Sequence, residues 1–242
     1  MYKSFIFFLF FFSIFIHSQE KLKVNYEVIH QTNVSWGDAK LSDEMKDQML
    51  KKIEQLKKRP ESCILYYYEG NSYFTELVSD EKNINKKQKK EYFKFKNQNS
   101  YYQLNDYRVE EFYGYYPDSS SEIEYKDENL TIENYLCKLA IVKTGNTISK
   151  VWYTEEIPVS AGPYNFNSLP GLVLKVENSK YLCYATHISK DCKEHEIKKK
   201  DSKLSVYKGL ELETKIKEGR DKMRKNGREN LDAFKQKMQN SK

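Results

Sequence analysis

Two apolar stretches, residues 134–143 and 147–154, meet at Gly145-Asn146. A two-residue connection with a Gly is a strong hairpin signal, because the tight turn needs positive φ and forces its flanks to pair antiparallel. In that register Leu139 stands opposite Trp152. Residues 172–177 and 180–188 flank Asn178-Ser179 in the same way and make a second candidate hairpin. Near the start, Leu-Lys-Val-Asn-Tyr-Glu-Val at 22–28 alternates strictly, the mark of a half-buried strand. Two hairpins in the second half and an alternating strand near the start point to an antiparallel sheet, and a sheet must bury one face.

The stretches between fit the same plan. Strands are expected at Cys63–Tyr68 and Ser72–Val78, and short aromatic runs at 92–95, 100–104 and 107–113 suit strands as well. Twenty Tyr and thirteen Phe support this, since aromatic side chains favour a pleated, half-buried surface. Pro117 to Ser121 is a turn cluster. At 41–58 the period changes: Leu41, Met45, Met49, Ile53 and Leu56 recur every three or four residues, with Ser42 as a cap and Pro60 past the end. That helix is expected to pack on the sheet through Met45, Met49 and Ile53. Residues 80–92 are almost wholly polar and are expected to form a mobile loop. Beyond Asp201 the chain reads as a basic helical tail, weakened by Gly219 and Gly227, with Leu231, Phe234 and Met238 in one stripe. The expected fold is therefore α+β and mainly β. It is a curved antiparallel or open barrel-like sheet of roughly seven to ten strands, with one early helix packed on it and a helical tail over 201–242.

The first eighteen residues stand apart. Lys3 precedes a run from Phe5 to Ile16 that is apolar except for Ser13, and Ser18 offers a small residue for cleavage. A charged start, a short apolar stretch and a small-residue exit make a signal peptide, and the run is shorter than the ~20 residues a spanning helix needs. The mature chain, with its main domain over 19–200, is expected to be secreted or periplasmic and to have no transmembrane span. Residues 193–242 hold sixteen Lys or Arg against nine Asp or Glu. The signs are interspersed, as on a solvated helix face, and export argues further against nucleic acid as a partner.

The residues of chemistry are sparse. Besides His17 in the leader there are His30, His187 and His195, and no nucleophile elbow, paired-histidine zinc helix or phosphate loop is present. Glu155 and Glu156 are neighbours, so on a strand they point to opposite faces. Cys63, Cys137, Cys183 and Cys192 permit two disulfides in any of three connectivities, and a core of this size equally permits free thiols. Cys183, His187, Cys192 and His195 have the ligand types of a zinc site in a spacing that is not a standard one. No catalytic residue, metal ligand or cofactor site is assigned.

The most specific segment is Trp152 to Val176, WYTEEIPVSAGPYNFNSLPGLVLKV. Through Trp152-Tyr153-Thr154, Glu156-Ile157-Pro158, Gly162-Pro163 and Leu169-Pro170-Gly171-Leu172-Val173-Leu174 it resembles the GLPGLI family of exported bacterial proteins, whose biochemical activity is unsettled. Tyr135 to Ala140 also resembles the family's approach to that segment. Ser168 stands where the family's first Gly usually sits. Physically, Pro170 fixes φ and Gly171 permits positive φ, which suits a type II turn. Tyr164 and Phe166 are expected to fold back as apolar plugs. The segment thus reads as a device that delivers one strand to the sheet, with Trp152 buried beside it. The function expected is a non-enzymatic exported binding or scaffold protein, its partner an apolar ligand or an envelope protein. A hydrolase with an unrecognised site and a purely structural envelope component are the alternatives.

Overall fold

The computed structural model describes residues 21–31, 43–57, 60–77 and 89–240. The expected leader at 1–18 and most of the expected loop at 80–92 lie outside them. Among the described residues one sheet takes up twelve strands, more than the sequence suggested. They are β1 (Lys21–His30), β2 (Glu61–Tyr68), β3 (Asn71–Glu76), β4 (Glu91–Lys94), β5 (Ser100–Asp106), β6 (Glu111–Pro117), β7 (Ser121–Ile132), β8 (Tyr135–Thr144), β9 (Thr147–Thr154), β10 (Leu172–Asn178), β11 (Tyr181–Ser189) and β12 (Val206–Lys208). The order across the sheet is β12-β6-β5-β4-β3-β2-β1-β11-β10-β9-β8-β7. Every pairing is antiparallel except that of β12 with β6. Two meanders, β2–β6 and β7–β11, are thus sewn together by β1, which pairs with β2 on one side and β11 on the other.

This order dictates the curvature. Strands β6 and β7 lie ten strand spacings apart, ~48 Å along a flat sheet at ~4.8 Å each. Yet only the short 3-10 turn Asp118–Ser120 joins them, and four residue steps reach at most ~14 Å. The sheet must therefore curl until its two ends approach. Its concave face carries Leu22, Val24, Tyr26 and Val28 of β1, all essentially buried, while Lys21, Lys23, Asn25 and Glu27 alternate on the convex side. The Tyr26 hydroxyl crosses the interior to donate to the Val173 carbonyl at 2.6 Å. Tyr26→Phe is expected to cost about 1–2 kcal/mol of unfolding free energy, the worth of one hydrogen bond plus a stranded carbonyl, as a urea titration would show.

Both expected hairpins form, the first in the expected register and the second with its turn at Ser179-Lys180, one residue beyond the expected Asn178-Ser179, so that Glu177 faces Leu182. Leu139 pairs with Trp152 across the Gly145 turn, where φ is +55°. At the second hairpin the Asn178 carboxamide accepts from the backbone of Lys180 and Tyr181, so a side chain holds that turn. Two strands escaped the sequence reading. Strand β7 is a charged edge strand, exposed along most of its length, and its short alternations at Ile123/Tyr125 and Leu130/Ile132 are put out of phase by an irregularity between Lys126 and Asn129. Strand β12 has three residues and exists only because β6 offers it a partner. Helix α1 (Asp43–Lys57) is present and touches β1; the side chains of Met45, Met49 and Ile53 lie outside the described residues. Helix α2 (Gly209–Asn240) is continuous through both glycines. At Gly219 the helix lies so close to Tyr107 that a Cβ would stand 2.3 Å from its ring, so this glycine permits docking rather than weakening the helix. Leu212 and Ile216 pack in the same cluster with Phe112. The side chains of Leu231, Phe234 and Met238 are outside the described residues.

Candidate functional site

The signature segment closes the concave face. Tyr164 sits 4.8 Å from both Phe74 and Tyr181 between ring centroids, and 5.5 Å from Tyr92. Phe166, Leu169 and Leu172 are buried with it. The chain thus fills the inside of its own sheet, as small barrels do. Lys94 ties the loop down from β4: its ammonium meets the Asp118 carboxylate at 2.6 Å and the Asn167 carbonyl at 3.1 Å. Gly162, Pro163, Tyr153 and Gly171 are buried, whereas Pro170 and Ser168 are exposed. Two expectations need correction. Gly171 does not have positive φ; here β10 passes so close to the end of β9 that a Cβ would lie 2.1 Å from the Thr154 carbonyl oxygen. The left-handed residue is Tyr164, with φ +56°. Trp152 is only half-buried, packed on the rim of the core, while its partner Leu139 is 3% exposed.

No disulfide joins the four cysteines, and all four are buried. Cys63 and Cys183 stand on β2 and β11 with β1 between them, about two strand spacings or ~10 Å apart, beyond the ~7 Å a disulfide tolerates. Nor do the zinc-type residues converge. A bulge between the Asn25 and Tyr26 pairings of β1 with β11 turns His187 to the convex side, away from Cys183 in the core. Among the described residues, no group of three metal-ligating side chains forms. Desolvation pushes the Cys137 and Cys192 thiols up to about 11 and holds Cys183 well above its ordinary range. Since the thiolate is the nucleophile, none of the three should alkylate at pH 7.5 in the folded chain. Iodoacetamide labelling read by mass spectrometry should be slow in buffer and complete in guanidinium.

Open space lies on the convex face. Tyr66, Tyr73, Phe93, Phe95, Tyr102, Leu104 and Tyr113 make a second apolar layer there. The segment after β11 straps across it, burying part of Ile197 and Leu204. Three polar ties hold the strap. Lys23 bonds Glu196 at 2.9 Å, Lys198 bonds the buried Glu91 at 2.5 Å beside the Tyr73 hydroxyl, and the Asp201 amide donates to the Tyr113 hydroxyl. Lys200 lies 5.0 and 5.3 Å from the Tyr113 and Tyr102 ring centroids. Lys198→Ala should strip a cation from a carboxylate only 7% exposed and cost about 2–3 kcal/mol, with faster amide exchange along 194–201. Acid should loosen the strap too. The bond to Lys23 holds the Glu196 carboxyl below its ordinary 4.5, so this tie is complete above that value and lost as pH falls through the lowered one.

Beside the strap runs a groove of about 620 Å³, lined by Tyr68, Glu69 and Asn71 of the β2–β3 turn, Phe95, and Glu194, Ile197, Lys198, Lys199 and Lys200 of the strap. That volume suits a small ligand, and an apolar floor with a few polar groups is how such sites are built. Desolvation, then the Glu69 and Glu194 carboxylates and a hydrogen bond to Glu69, raise the Tyr68 phenol above its usual range. On the other side of the 3-10 turn Glu194–Glu196 lies a smaller polar groove of about 360 Å³, where His187 and His195 meet Lys23 and Asp191. The sequence offered no sign of either groove, because their walls come from segments more than a hundred residues apart.

The family described as "N-glycanase peptide, N-terminal domain" matches residues 50–211. The fold resembles that of PNGF-II solved in space group C2, with a TM-score of 0.54 at 16% identity over 83% of this chain and 33% of that one. PNGF-II in space group P21 gives a TM-score of 0.53 at the same identity, over 83% and 34%. This chain therefore spans about a third of the length of those solved chains. No curated protein matches it.

Proposed function

The chain belongs to the family of the N-glycanase peptide N-terminal domain, and on that premise we propose that it is an exported, non-enzymatic binding module whose ligand lies in the convex groove. The observation that carries this is the groove itself, with an aromatic floor and charged walls held open by a strap with three polar ties. The inside of the sheet is filled by Tyr164, Phe166 and Leu169, which favours a ligand on the outside over an apolar molecule carried within. Export rests on the pattern of residues 1–18, and membership of the GLPGLI group on residues 152–176, whose part is to plug and align the sheet. The family's name points to the partner: a protein bearing N-linked glycans, which an envelope or secreted module would meet outside the cytoplasm.

The test uses the purified full chain on a biosensor surface with an intact N-glycosylated protein as analyte. Saturable binding is expected, with no glycan released into solution. Phe95→Ala should weaken it about tenfold, as loss of a central aromatic contact does. Release of glycan by the chain alone, or binding indifferent to Phe95, would overturn the reading.

A further inference from the structure

The strap meets the convex face as a ligand meets a site. Lys198 and Lys200 both reach groups of the sheet, while Lys199 between them is exposed. The Lys198 ammonium lies 2.5 Å from Glu91 Oε1, and the Tyr73 hydroxyl donates to the same oxygen at 3.1 Å. The Glu91 side chain is 7% exposed and that of Lys198 52%, so the carboxylate is built into the sheet and the cation comes from outside it. The Lys200 ammonium stands over two rings, 5.3 Å from the Tyr102 centroid and 5.0 Å from that of Tyr113. These rings form two walls of the kind of aromatic cage that recognises ammonium groups. Ile197 and Leu204 rest on the same aromatic layer, and the Asp201 amide donates to the Tyr113 hydroxyl.

We propose that this face of β3–β6 is a recognition site for a lysine-bearing segment of another protein, and that the strap fills it as an internal stand-in for that segment. The charges decide the partner's chemistry. A carboxylate as buried as Glu91 loses its cation only at high cost, so the strap does not simply lift away. It exchanges for a segment that brings an ammonium group of its own and keeps Glu91 paired. An acidic or wholly apolar segment would leave Glu91 bare and the Tyr102–Tyr113 cage empty. The strap supplies the pattern: two lysines with one residue between them, preceded by an aliphatic residue as Ile197 precedes Lys198. The tether that allows the exchange is the exposed pair Lys190 and Asp191, just after β11. The site lies beneath the strap rather than beside it, so it does not depend on the neighbouring groove holding a ligand.

The experiment is fluorescence anisotropy of a labelled peptide of residues 194–205, titrated with the full chain and with its Lys198→Gln/Lys200→Gln variant. A tethered strap competes at an effective concentration on the order of millimolar, so the unaltered chain should bind the peptide weakly. The variant weakens the competitor but leaves the sheet intact, and should bind at least about tenfold tighter. Adding Glu91→Gln to the variant should abolish this binding without lowering the melting temperature, because Glu91 has already lost its cation there. That separates recognition from folding. Equal affinity of the unaltered chain and the variant overturns the proposal, since the strap then occupies no site. Binding indifferent to Glu91→Gln, or equally tight for a peptide with glutamine at both lysine positions, overturns it as well. A second measurement needs no variant. Millimolar unlabelled peptide should speed amide exchange along 194–201 of the 15N-labelled chain, and the glutamine peptide should not. Unchanged exchange with the lysine peptide overturns the proposal.

Discussion

Gly171→Ala should strongly destabilise the fold, and Gly171→Val more so. A Cβ at this position would sit 2.1 Å from the Thr154 carbonyl oxygen and 2.7 Å from its carbon. Both are backbone atoms at the end of β9, so no side-chain rotation relieves the overlap. The only response is to part β10 from β9 near the Leu172–Thr154 pairing, where Leu172 and Val173 also bond back to the loop through Ile157 and Ala161. Overpacking alone costs about 1–3 kcal/mol. Adding the ladder and loop bonds that must break, the expected loss is about 4 kcal/mol or more, a large share of a typical 5–15. The cause can be tested separately. If the glycine served a left-handed turn, Gly171→Asn would largely rescue it. Because the requirement is space, Asn should fail as badly as Ala. A urea midpoint for Gly171→Asn close to that of the unaltered chain would refute the steric account.

Tyr164→Ala is the second large effect. The ring packs against Phe74, Tyr92 and Tyr181, which come from β3, β4 and β11, so it joins the two halves of the sheet through the interior. Removing it should leave a cavity worth about 3–5 kcal/mol. Tyr164→Phe keeps the ring and should cost under about 1.5 kcal/mol, since it nearly conserves volume. Tyr164→Gly is informative for another reason. At φ +56° glycine relieves about 1–2 kcal/mol of left-handed strain, so it should be no worse than Ala despite being smaller. If Gly proves clearly worse than Ala in thermal melts, the ring is not held against its backbone preference.

Most of the local structure was legible in the residues themselves. Strict alternation in residues 22–28 announced β1, and Gly145-Asn146 announced a hairpin in the observed register, because side-chain period and turn chemistry are local properties. The plugs Tyr164 and Phe166 were legible for the same reason: Gly162-Pro163 must turn, and apolar rings after a turn seek the core. Where neighbours on the sheet mattered, the sequence was silent or misleading. Strand β7 is an exposed edge whose alternation is broken at mid-strand, and β12 is induced by β6, so neither carries a continuous pattern of its own. Gly171 looked like a left-handed turn residue, but its requirement is the close approach of Thr154, a contact visible only once β10 lies beside β9. The convex groove belongs wholly to this second class. It needs β1 to draw β2 and β11 together, so that the strap after β11 crosses the aromatic rows of β2 to β6. Only that long-range pairing brings Glu69 within reach of Glu194 and Lys199, because side chains more than a hundred residues apart meet through the sheet and not through any spacing along the chain.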